Sequence, residues 1–443
     1  MKHSFTKTIA ALSLLASTSL GAAADNHSIK DAIAKDYDYL EDLFVYLHKN
    51  PELSFRENET AERLSKELSA LGFDVTTGVG RTGLVAMMKN GDGPTLLIRA
   101  DMDGLPVEEA SGLPYASTKR QVNLDGVEMP VMHACGHDMH MTGLVGTARQ
   151  LVAMKDKWQG TLLLVGQPAE ETISGAKAMI EDGIYERFPR PDYAVALHVA
   201  AQAPAGMIVY KPGIMYSSSD SVRITVHGVG THGASPHLGK DPIVIGSQIV
   251  NALQTLVARE ISPLSPGVVT VGTFHAGTKN NIISDEAVLT LTVRSNDEEV
   301  RHKLLAGIKR IAENTGRVAG LPEDKLPTVE LSIESTPTTV NDKALTSRLD
   351  NVLREHFPEG QVARYEQKNM GAEDFAYFSQ VDPAVPGFYF IVGGTPMKAF
   401  EAEKNGGPTV AGHHSPLFKI APEPSVKAGV EAMTVIALDL LGK

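Results

Sequence analysis

The sequence has 443 residues, more than a single hydrophobic core usually holds, so its length predicts two domains. Hydrophobic residues make up 42% of the chain, which favours globular domains and excludes an intrinsically disordered protein. The formal net charge of -12 argues against nucleic acid as a partner and offers no basic surface for an anionic membrane.

The first residues have the pattern of a cleavable signal peptide, which we place at residues 1–24. Lys2 and Lys7 precede an apolar run from Ile9 to Leu20, and small residues follow that run. The run is shorter than the roughly 20 residues that a membrane-spanning helix needs, and no later segment approaches that length. A buried first helix is the alternative. The signal peptide predicts a periplasmic or secreted protein.

Helical and strand patterns then alternate, which is typical of an α/β fold. Three short apolar runs have the composition of buried parallel strands, at Thr95 to Ala100, Thr161 to Gly166 and Tyr193 to Leu197. Apolar residues at helical spacing occur at 61–71 and 144–152. Because ligands of open α/β sheets bind at the carboxyl ends of strands, we expect a site where these three strands end.

From about Asp220 the order of predicted elements changes to β-α-β-β-α-β, the pattern of a ferredoxin-like sandwich. We place this unit at residues 216–334. Site-like motifs return after it, so we infer an insertion into a discontinuous catalytic domain of residues 25–215 and 335–443. The predicted elements of the insertion are a strand at 221–227, a helix at 241–259, strands at 268–274 and 287–293, a helix at 297–314 and a strand at 328–333.

The segment His133–His140 combines the chain's one cysteine with three histidines and an aspartate. Cys135 and His137 can face one cation if Gly136 lets the backbone turn sharply between them. A thiolate bound to a cation is also protected from oxidation in an exported protein. A buried free cysteine beside a surface histidine is the alternative. We interpret the segment as a metal site.

Polar residues follow each of the three predicted strands. Glu170 and Glu171 are so close that both stay ionised only at a cost, so we expect one to bind a metal and the other to move protons. A solvated acidic turn is the alternative. His198 is either a core histidine or a ligand in the same crevice. Asp101 and Asp103 either cap a turn or orient a ligand.

The loop Gly230–His237 in the predicted insertion presents His232 and His237 among small residues. An imidazole in such a loop can donate a hydrogen bond to a developing oxyanion. An ordinary surface loop is the alternative, and the spacing of the residues does not decide between the two.

Six motifs follow one another in the order Arg99–Pro106, His133–His140, Gly166–Glu171, Ala196–His198, Gly230–His237 and His414–Pro416. Together they resemble the aminoacylase and glutamate-carboxypeptidase superfamily of di-metal metallopeptidases. The cysteine-bearing motif is typical of its amidohydrolase branch, which includes hippurate hydrolases, N-acyl-amino-acid deacylases and auxin-conjugate hydrolases. The resemblance extends over nearly the whole mature chain.

The resemblance implies an α/β catalytic domain with a mixed, mostly parallel sheet of the di-metal aminopeptidase type. It also implies that the inserted ferredoxin-like domain is a lid and dimerisation domain, so that the protein is a homodimer. Two divalent metal ions per subunit are implied, zinc or manganese first, with cobalt or nickel also suited to such sites. The implied metal ligands are Cys135, His137, Glu171, His198 and His414.

The same resemblance implies roles for five further residues. Glu170 is the general base that takes a proton from a metal-activated water and then returns it to the leaving amine, and Asp103 is its orienting carboxylate. His232 polarises the scissile carbonyl, reaching the partner subunit's site in related enzymes. Asn281 and Arg294 help to hold the substrate.

The implied activity is metal-dependent hydrolysis of N-acyl amino acids, hippurate-like or N-acetyl compounds, to a carboxylic acid and a free amino acid. A dipeptidase or carboxypeptidase of the same superfamily is the closer alternative. A non-catalytic periplasmic protein that binds a metal or another ligand is the more distant one. We expect a small-molecule substrate and neither nucleic acid nor a membrane as a partner.

Three features depart from the family's pattern. Ser284 stands where the family usually has proline, and Thr172-Ile173 replaces a glycine-rich continuation after the paired glutamates. His413 adjoins His414, so the choice of the last ligand rests on the match to the His-Ser-Pro pattern. The first two departures concern loop shape and hence substrate preference.

Overall fold

The computed structural model describes the backbone of residues 16–443 and the side chains of residues 29–443. The predicted signal peptide at residues 1–24 lies mostly outside the described residues and stays a prediction. The first described helix is Ala16–Lys49. No helix in the described part of the chain is both long and apolar enough to cross a membrane.

A mixed, mostly parallel eight-stranded sheet forms the larger unit, which confirms the predicted fold class. The three predicted strands are present as Thr95–Asp101, Gly160–Gln167 and Tyr193–Pro204, and they pair in parallel. The first two are buried along their whole length, as continuous apolar runs should be in a sheet covered on both faces. The spatial order of strands is Asp74–Val79, Gly83–Asn90, Gly160–Gln167, Thr95–Asp101, Tyr193–Pro204, Gly387–Thr395, Ile208–Tyr210 and Val362–Arg364.

Helices pack on both faces of this sheet. The predicted stripe at 61–71 is confirmed as a helix that buries Ala61, Leu64 and Leu68. The helices on the more extensive face are Ala16–Lys49, Asn58–Ala70, His137–Ala153, Lys343–His356 and Pro422–Leu441. The shorter helices on the other face are Gly175–Glu181, Ile184–Arg187 and Ala376–Ser379. The helix Met397–Lys404 buries no side chain.

A four-stranded antiparallel sheet with two helices forms a second unit in the predicted β-α-β-β-α-β order. Alternate residues along its central strand, among them Leu289, Leu291 and Val293, are buried against the helices as one separate hydrophobic core. The elements are Ser218–His227, Pro242–Thr255, Gly267–Ala276, Glu286–Ser295, Glu298–Val318 and Thr328–Thr336. The exact domain boundaries at 216 and 334 stay a prediction.

Local sequence signals account for both helices of the second unit. Asp241 and Asp297 are the N-cap residues, and their side chains accept backbone N–H groups of the first turn. Pro242 occupies the first helical position, where its missing N–H removes no hydrogen bond. The predicted helix at 241–259 ends as α-helix at Thr255 and continues as a single wider turn, Leu256–Glu260.

Three two-stranded ribbons and two short 3-10 turns complete the described structure. The ribbon of Gly213–Tyr216 with Thr339–Asn341 lies where the chain enters and leaves the second unit, so the two crossings run side by side. The other ribbons pair Arg120–Val122 with Glu128–Pro130 and Thr231–His232 with Ile282–Ile283. The 3-10 turns are Pro236–Leu238 and Glu323–Lys325.

Candidate active site

A cavity of about 1010 Å³ opens near the carboxyl ends of the central parallel strands. This is the place at which open α/β sheets bind their ligands. Predicted site residues that line it are Cys135, Glu170, Glu171, His198, Arg294 and His414. The structure therefore brings together residues from four separate motifs of the sequence, and Arg294 joins them from outside those motifs.

Gly136 makes the turn that places Cys135 and His137 on the same side of the backbone. Its φ of +89° lies in the left-handed region, and the helix His137–Ala153 begins at the next residue. A Cβ atom at this position would lie 2.4 Å from Cγ1 of Val199, which is far closer than real contacts allow. Only glycine fits this turn, as expected from the sequence.

Hydrogen bonds on the far side of two imidazoles set which ring nitrogen faces the cavity. His137 donates from Nδ1 to the carbonyl oxygen of Asp103 at 2.8 Å, and His198 donates from Nδ1 to that of Val199 at 2.6 Å. A carbonyl oxygen can only accept, so Nδ1 carries a proton and Nε2 is the nitrogen available to a metal ion. In His198 this Nε2 lies 3.5 Å from Sγ of Cys135.

Glu171 and His414 complete the cluster from the opposite side. Oε2 of Glu171 lies 3.3 Å from Nε2 of His414, and its Oε1 lies 3.8 Å from Nε2 of His137. The adjacent His413 also lines the cavity, but its Nε2 accepts a hydrogen bond from the Ala201 N–H at 3.3 Å, and it belongs to none of the groups of converging donor atoms. Of the two neighbouring histidines, His414 is therefore the one that reaches the other candidate ligands.

The donor atoms are suited to divalent metal ions. Two groups that contain Cys135 place their donor atoms within 4.8 Å of one another, Cys135 with His137 and His198, and Cys135 with Glu171 and His414. A further group of the same size joins His137 with Glu170 and Glu171. Nε2 of His137 and Oε1 of Glu171 are buried and find no hydrogen-bond partner among the described residues. Buried polar atoms of this kind are costly unless something binds them. Thiolate, imidazole and carboxylate together are typical of zinc and similar ions.

The charges in the site also favour cations. Burial raises the pKa of Glu171 to about 8, and burial together with Glu373 and Glu171 raises that of Glu170 well above its ordinary value. Burial raises the pKa of the Cys135 thiol in the same way. Burial thus favours the protonated form of each group, whereas a bound divalent ion would favour the ionised form.

Asp103 organises the loop that carries the paired glutamates. Its two carboxylate oxygens accept the N–H groups of Glu170 at 3.1 Å and Glu171 at 3.0 Å. The hydroxyl of Ser54 donates to the same carboxylate at 2.7 Å. Asp103 is itself buried, so it acts on the glutamates through their backbone and on His137 through its carbonyl oxygen.

Asp101 and His140 lie next to the candidate ligands, but their polar atoms form hydrogen bonds with other residues. His140 donates from Nδ1 to Asp101 and accepts the N–H of Val199 at Nε2, at 2.8 Å. Both ring nitrogens are therefore used, which leaves His140 without a free electron pair for a metal ion. Its contacts fix the strand end that carries His198.

A buried charge network that was not predicted from the sequence supports Asp101. Arg99 is 1% exposed and its guanidinium contacts Asp101 at 2.7 Å, Glu373 at 2.7 Å and Asp374 at 3.3 Å. Gln167 donates to Asp374 at 2.7 Å. One signal was available, because an arginine inside an apolar, fully buried strand needs acidic partners.

The family follows from the sequence match. Residues 97–405, more than half of the chain, match the pattern of peptidase family M20/M25/M40. The chain belongs to this family. The predicted resemblance is thereby confirmed, and the protein is a metal-dependent amidohydrolase.

Two relatives and one solved structure illustrate the similarity of this M20 protein to known members. Thermostable carboxypeptidase 2 of Saccharolobus solfataricus is 36% identical over 94% of this chain and 98% of its own. Hippurate hydrolase of Campylobacter jejuni is 36% identical over 76% of this chain and 83% of its own. The crystal structure of Bacillus subtilis YXEP protein, a dinuclear metal-binding peptidase of the M20 family, superposes with a TM-score of 0.72. It is 27% identical and covers 92% of this chain and 99% of that one.

The remaining predicted residues of this M20 protein lie in the four-stranded unit. The exposed His232 accepts the Ala234 N–H at Nδ1, at 3.0 Å, and Gly233 donates to the carbonyl oxygen of Asn281 at 2.8 Å. His232 and Asn281 thus share one ribbon. Of the three predicted substrate contacts, Arg294 lines the cavity of the described chain, and His232 and Asn281 do not.

Proposed function

We propose that this M20 protein hydrolyses the amide bond of N-acyl amino acids and releases a carboxylic acid and a free amino acid. The observation that carries the proposal is Glu170, a buried carboxyl group that lines the cavity. Its donor atom lies within 4.8 Å of those of His137 and Glu171, and it belongs to neither of the two groups that contain Cys135. Arg294 in the same cavity is a cation suited to the carboxylate of an amino acid. The similarity to hippurate hydrolase supports this substrate class.

We assign the metal site to five side chains and two divalent ions. The ligands are Cys135, His137, Glu171, His198 and His414, whose donor atoms converge as described above. When bound, such ions supply Lewis-acid polarisation of a carbonyl group and lower the pKa of water. Zinc or manganese is our first choice, because thiolate and imidazole suit zinc, and cobalt or nickel would also be held.

The protein's own groups provide the proton transfers. Glu170 takes a proton from the attacking water at its carboxylate and delivers it to the nitrogen of the leaving amine. Glu170 lines the cavity and is buried, so it can hold this proton between the two steps out of contact with bulk water. Asp103 keeps the base in place through the Glu170 N–H. His232 donates a hydrogen bond to the oxygen of the scissile carbonyl group. Asn281 helps to hold the substrate by a further hydrogen bond.

We also propose that the protein is exported and forms a homodimer. Export rests on the charged and apolar pattern of residues 1–24. Dimerisation through residues 216–334 is supported by the position of His232, which is exposed and outside the cavity of its own chain. A second subunit would give this imidazole a site in which to act.

A carboxypeptidase is the second candidate function. The similarity to a thermostable carboxypeptidase favours it, because that relative is matched along almost its whole length. The two activities differ only in the group on the acyl side of the bond. Contacts worth about 1 to 3 kcal/mol in that part of the cavity decide such a preference.

Amine release from a substrate panel tests the proposal. The panel contains N-acetyl, N-benzoyl and N-indolylacyl amino acids together with dipeptides, offered to metal-loaded protein. We expect release from the N-acyl compounds that stops with a chelator, and a kcat lower by about 10²- to 10⁴-fold in Glu170→Gln, which keeps the shape but not the base. Metal content by elemental analysis should be the same in both proteins.

Glu366→Gln is the matched control, because Glu366 also lines the cavity and is exposed. Its kcat should stay within about twofold of wild type, since charge loss at the rim removes no proton acceptor at the reacting atoms. Faster release from dipeptides would select the carboxypeptidase. No release from any compound, with metal bound in both proteins, would select a binding protein and overturn the proposal.

A further inference from the structure

The loop that carries Glu170 is held by three consecutive backbone N–H groups. Ala169 donates to Oε1 of Glu57 at 2.8 Å, and the next two residues, Glu170 and Glu171, donate to Asp103. Successive N–H groups that point into one concavity form an anion-binding nest. In this protein two of its own buried carboxylates, from different parts of the sequence, occupy the nest.

The backbone of this loop is strained at the residue before the base. Ala169 has a φ of +49°, in the left-handed region that residues with a Cβ atom rarely adopt. Its carbonyl oxygen accepts the N–H groups of Ser174 and Gly175, which closes the loop on itself. A conformation of this kind persists only when the surrounding contacts determine it. The contact from Glu57 is the side-chain contact that holds the Ala169 N–H.

Glu57 stands at the N-cap position of a helix, but its side chain does not cap that helix. It is the N-cap residue of the helix Asn58–Ala70 and makes no capping hydrogen bond. The carboxylate of Glu52 accepts the Thr60 N–H of that first turn, at 2.8 Å. Stabilisation of the helix start therefore does not account for the Glu57 carboxylate.

Both carboxylate oxygens of Glu57 accept hydrogen bonds from residues distant in the sequence. The side chain is fully buried, Oε2 accepts the hydroxyl of Thr82, and Oε1 accepts the Ala169 N–H. A buried carboxylate is costly unless its oxygens are hydrogen-bonded, so both contacts are needed to keep it there. Glu57 therefore links Thr82, the residue before the strand Gly83–Asn90, to the loop of Glu170.

We propose that Glu57 is a positioning residue that, together with Asp103, sets the direction of the catalytic base Glu170. This rests on the role of Glu170 proposed above. If the link is lost, Ala169 can leave the left-handed region, and the carboxyl of Glu170 moves relative to the reacting atoms. Substrate binding by other walls of the cavity, such as Arg294, is not affected.

Glu57→Ala, Glu57→Gln and Thr82→Val test the proposal in metal-loaded protein. For Glu57→Ala we expect kcat to fall by about 10- to 100-fold with KM within about twofold of wild type. Glu57→Gln keeps an acceptor oxygen for the Ala169 N–H and should recover most of kcat. Thr82→Val removes only the hydrogen bond to Oε2 of Glu57 and should lower kcat less. It replaces Glu57→Ala as the test if that variant does not fold.

Hydrogen exchange gives a readout that does not depend on activity. Amide exchange in a peptide that contains residues 168–174 should be faster in Glu57→Ala, with and without metal. Glu52→Ala is the matched control, because it also removes a buried carboxylate at the start of the same helix. It should lower thermal stability but leave kcat and the exchange of 168–174 unchanged.

The positioning role is overturned if kcat and exchange in Glu57→Ala match those of Glu52→Ala, or if Glu57→Gln is as impaired as Glu57→Ala. Wild type and Glu170→Gln are assayed in parallel to separate the two proposals. If wild type releases no amine, the proposed function fails, and the exchange data alone decide the role of Glu57.

Discussion

His48 lies buried behind the metal-binding segment, between two carboxylates. Its Nδ1 is 2.7 Å from Oδ2 of Asp138, and its Nε2 is 3.1 Å from Oε1 of Glu109. Burial lowers the pKa of His48, but the hydrogen bonds to Asp138 and Glu109 outweigh it and raise the pKa to about 9. A charged imidazole therefore ties the end of the first helix to Asp138, the residue after the candidate ligand His137.

This charge predicts a pH dependence of stability. The folded pKa of His48 lies above its ordinary value of 6.5, so its contribution is complete below that value and is lost as the pH rises through about 9. A shift of this size corresponds to about 3 kcal/mol. In wild type, the free energy of unfolding should therefore fall by up to about this amount between about pH 6 and about pH 10 because of His48. In His48→Gln, urea titrations should show a decrease over this range that is smaller by that amount.

His356→Gln provides the comparison, because His356 is a buried histidine that contacts Glu431 at 2.7 Å, far from the site. It controls for the loss of a buried imidazole as such. A pH dependence in His48→Gln equal to that of wild type would show that His48 is not charged in the folded protein.

Single residues differ in how far the sequence reveals them. Cys135 and His137 are two positions apart, and donors of these types at this spacing can face one metal ion, so the sequence alone indicated them. The contact between Arg99 and Glu373 joins residues 274 positions apart, and that of Glu57 with Ala169 joins residues 112 apart. Contacts of this range depend on strand order and register, which one sequence does not contain.

At the scale of elements, a buried ion pair joins one helix to the four-stranded sheet. Asp220 in the strand Ser218–His227 is fully buried, and Arg301 in the helix Glu298–Val318 donates to both of its oxygens, at 2.8 and 2.7 Å. Ser335 in the neighbouring strand donates to the same carboxylate. One carboxylate therefore connects a helix and two strands.

Removing this carboxylate should destabilise the second unit. Asp220→Asn leaves the guanidinium of Arg301 without its main partner, and we expect the free energy of unfolding to fall by about 3 kcal/mol in urea titrations. Adding Arg301→Met should recover part of that loss, because it removes the unpaired charge.

Glu260→Gln is a control within the same unit. Glu260 ends the turn Leu256–Glu260 and pairs at the surface with Arg310 of the helix Glu298–Val318. Because Arg310 is 53% exposed, the loss should stay below about 1 kcal/mol. Equal losses in Asp220→Asn and Glu260→Gln would contradict the buried pair as the connection between the elements.

Elements were more predictable than their ends. The sequence pattern predicted every strand and helix of the four-stranded sheet and its two helices. The two inner strands, Ser218–His227 and Glu286–Ser295, bury alternate residues, which is the periodicity expected of half-buried strands. The predicted strand at 193–197 continues past the polar His198 to Pro204. A prediction based on apolar runs ends at the first polar residue, so it misses the part of a strand that carries site residues. The antiparallel strands Asp74–Val79 and Gly83–Asn90 were not predicted. Asp74–Val79 is an edge strand without a continuous apolar run, whereas Gly83–Asn90 is an inner strand whose apolar run, Leu84 to Met88, was an available signal.

At the scale of the molecule, the predicted site residues are divided between the two units. The larger unit holds the candidate ligands and Glu170, and Arg294 reaches their cavity from the four-stranded sheet. The ribbon with His232 belongs to the second unit and does not line that cavity in the described chain. If His232 takes part in the reaction, we expect it to act in the cavity of a second subunit.

Mixing two inactive variants tests this expectation. Glu170→Gln lacks the base and keeps His232, whereas His232→Ala lacks the imidazole and keeps Glu170. After subunit exchange at equal amounts, half of the dimers contain one subunit of each kind, and one of their two sites combines an intact Glu170 with an intact His232 from the other chain. We therefore expect the mixture to reach about a quarter of wild-type amine release.

The control is each variant mixed with itself, which should stay inactive, and the mass of the dimer is checked by light scattering. If His232 acted within its own chain, every site in the mixture would lack one of the two groups, and no activity would return. A monomeric mass would likewise contradict the dimer. Activity returns only if the protein is a dimer and if His232 of one chain enters the cavity of the other. One measurement therefore tests whether the four-stranded unit of one chain completes the site in the larger unit of its partner.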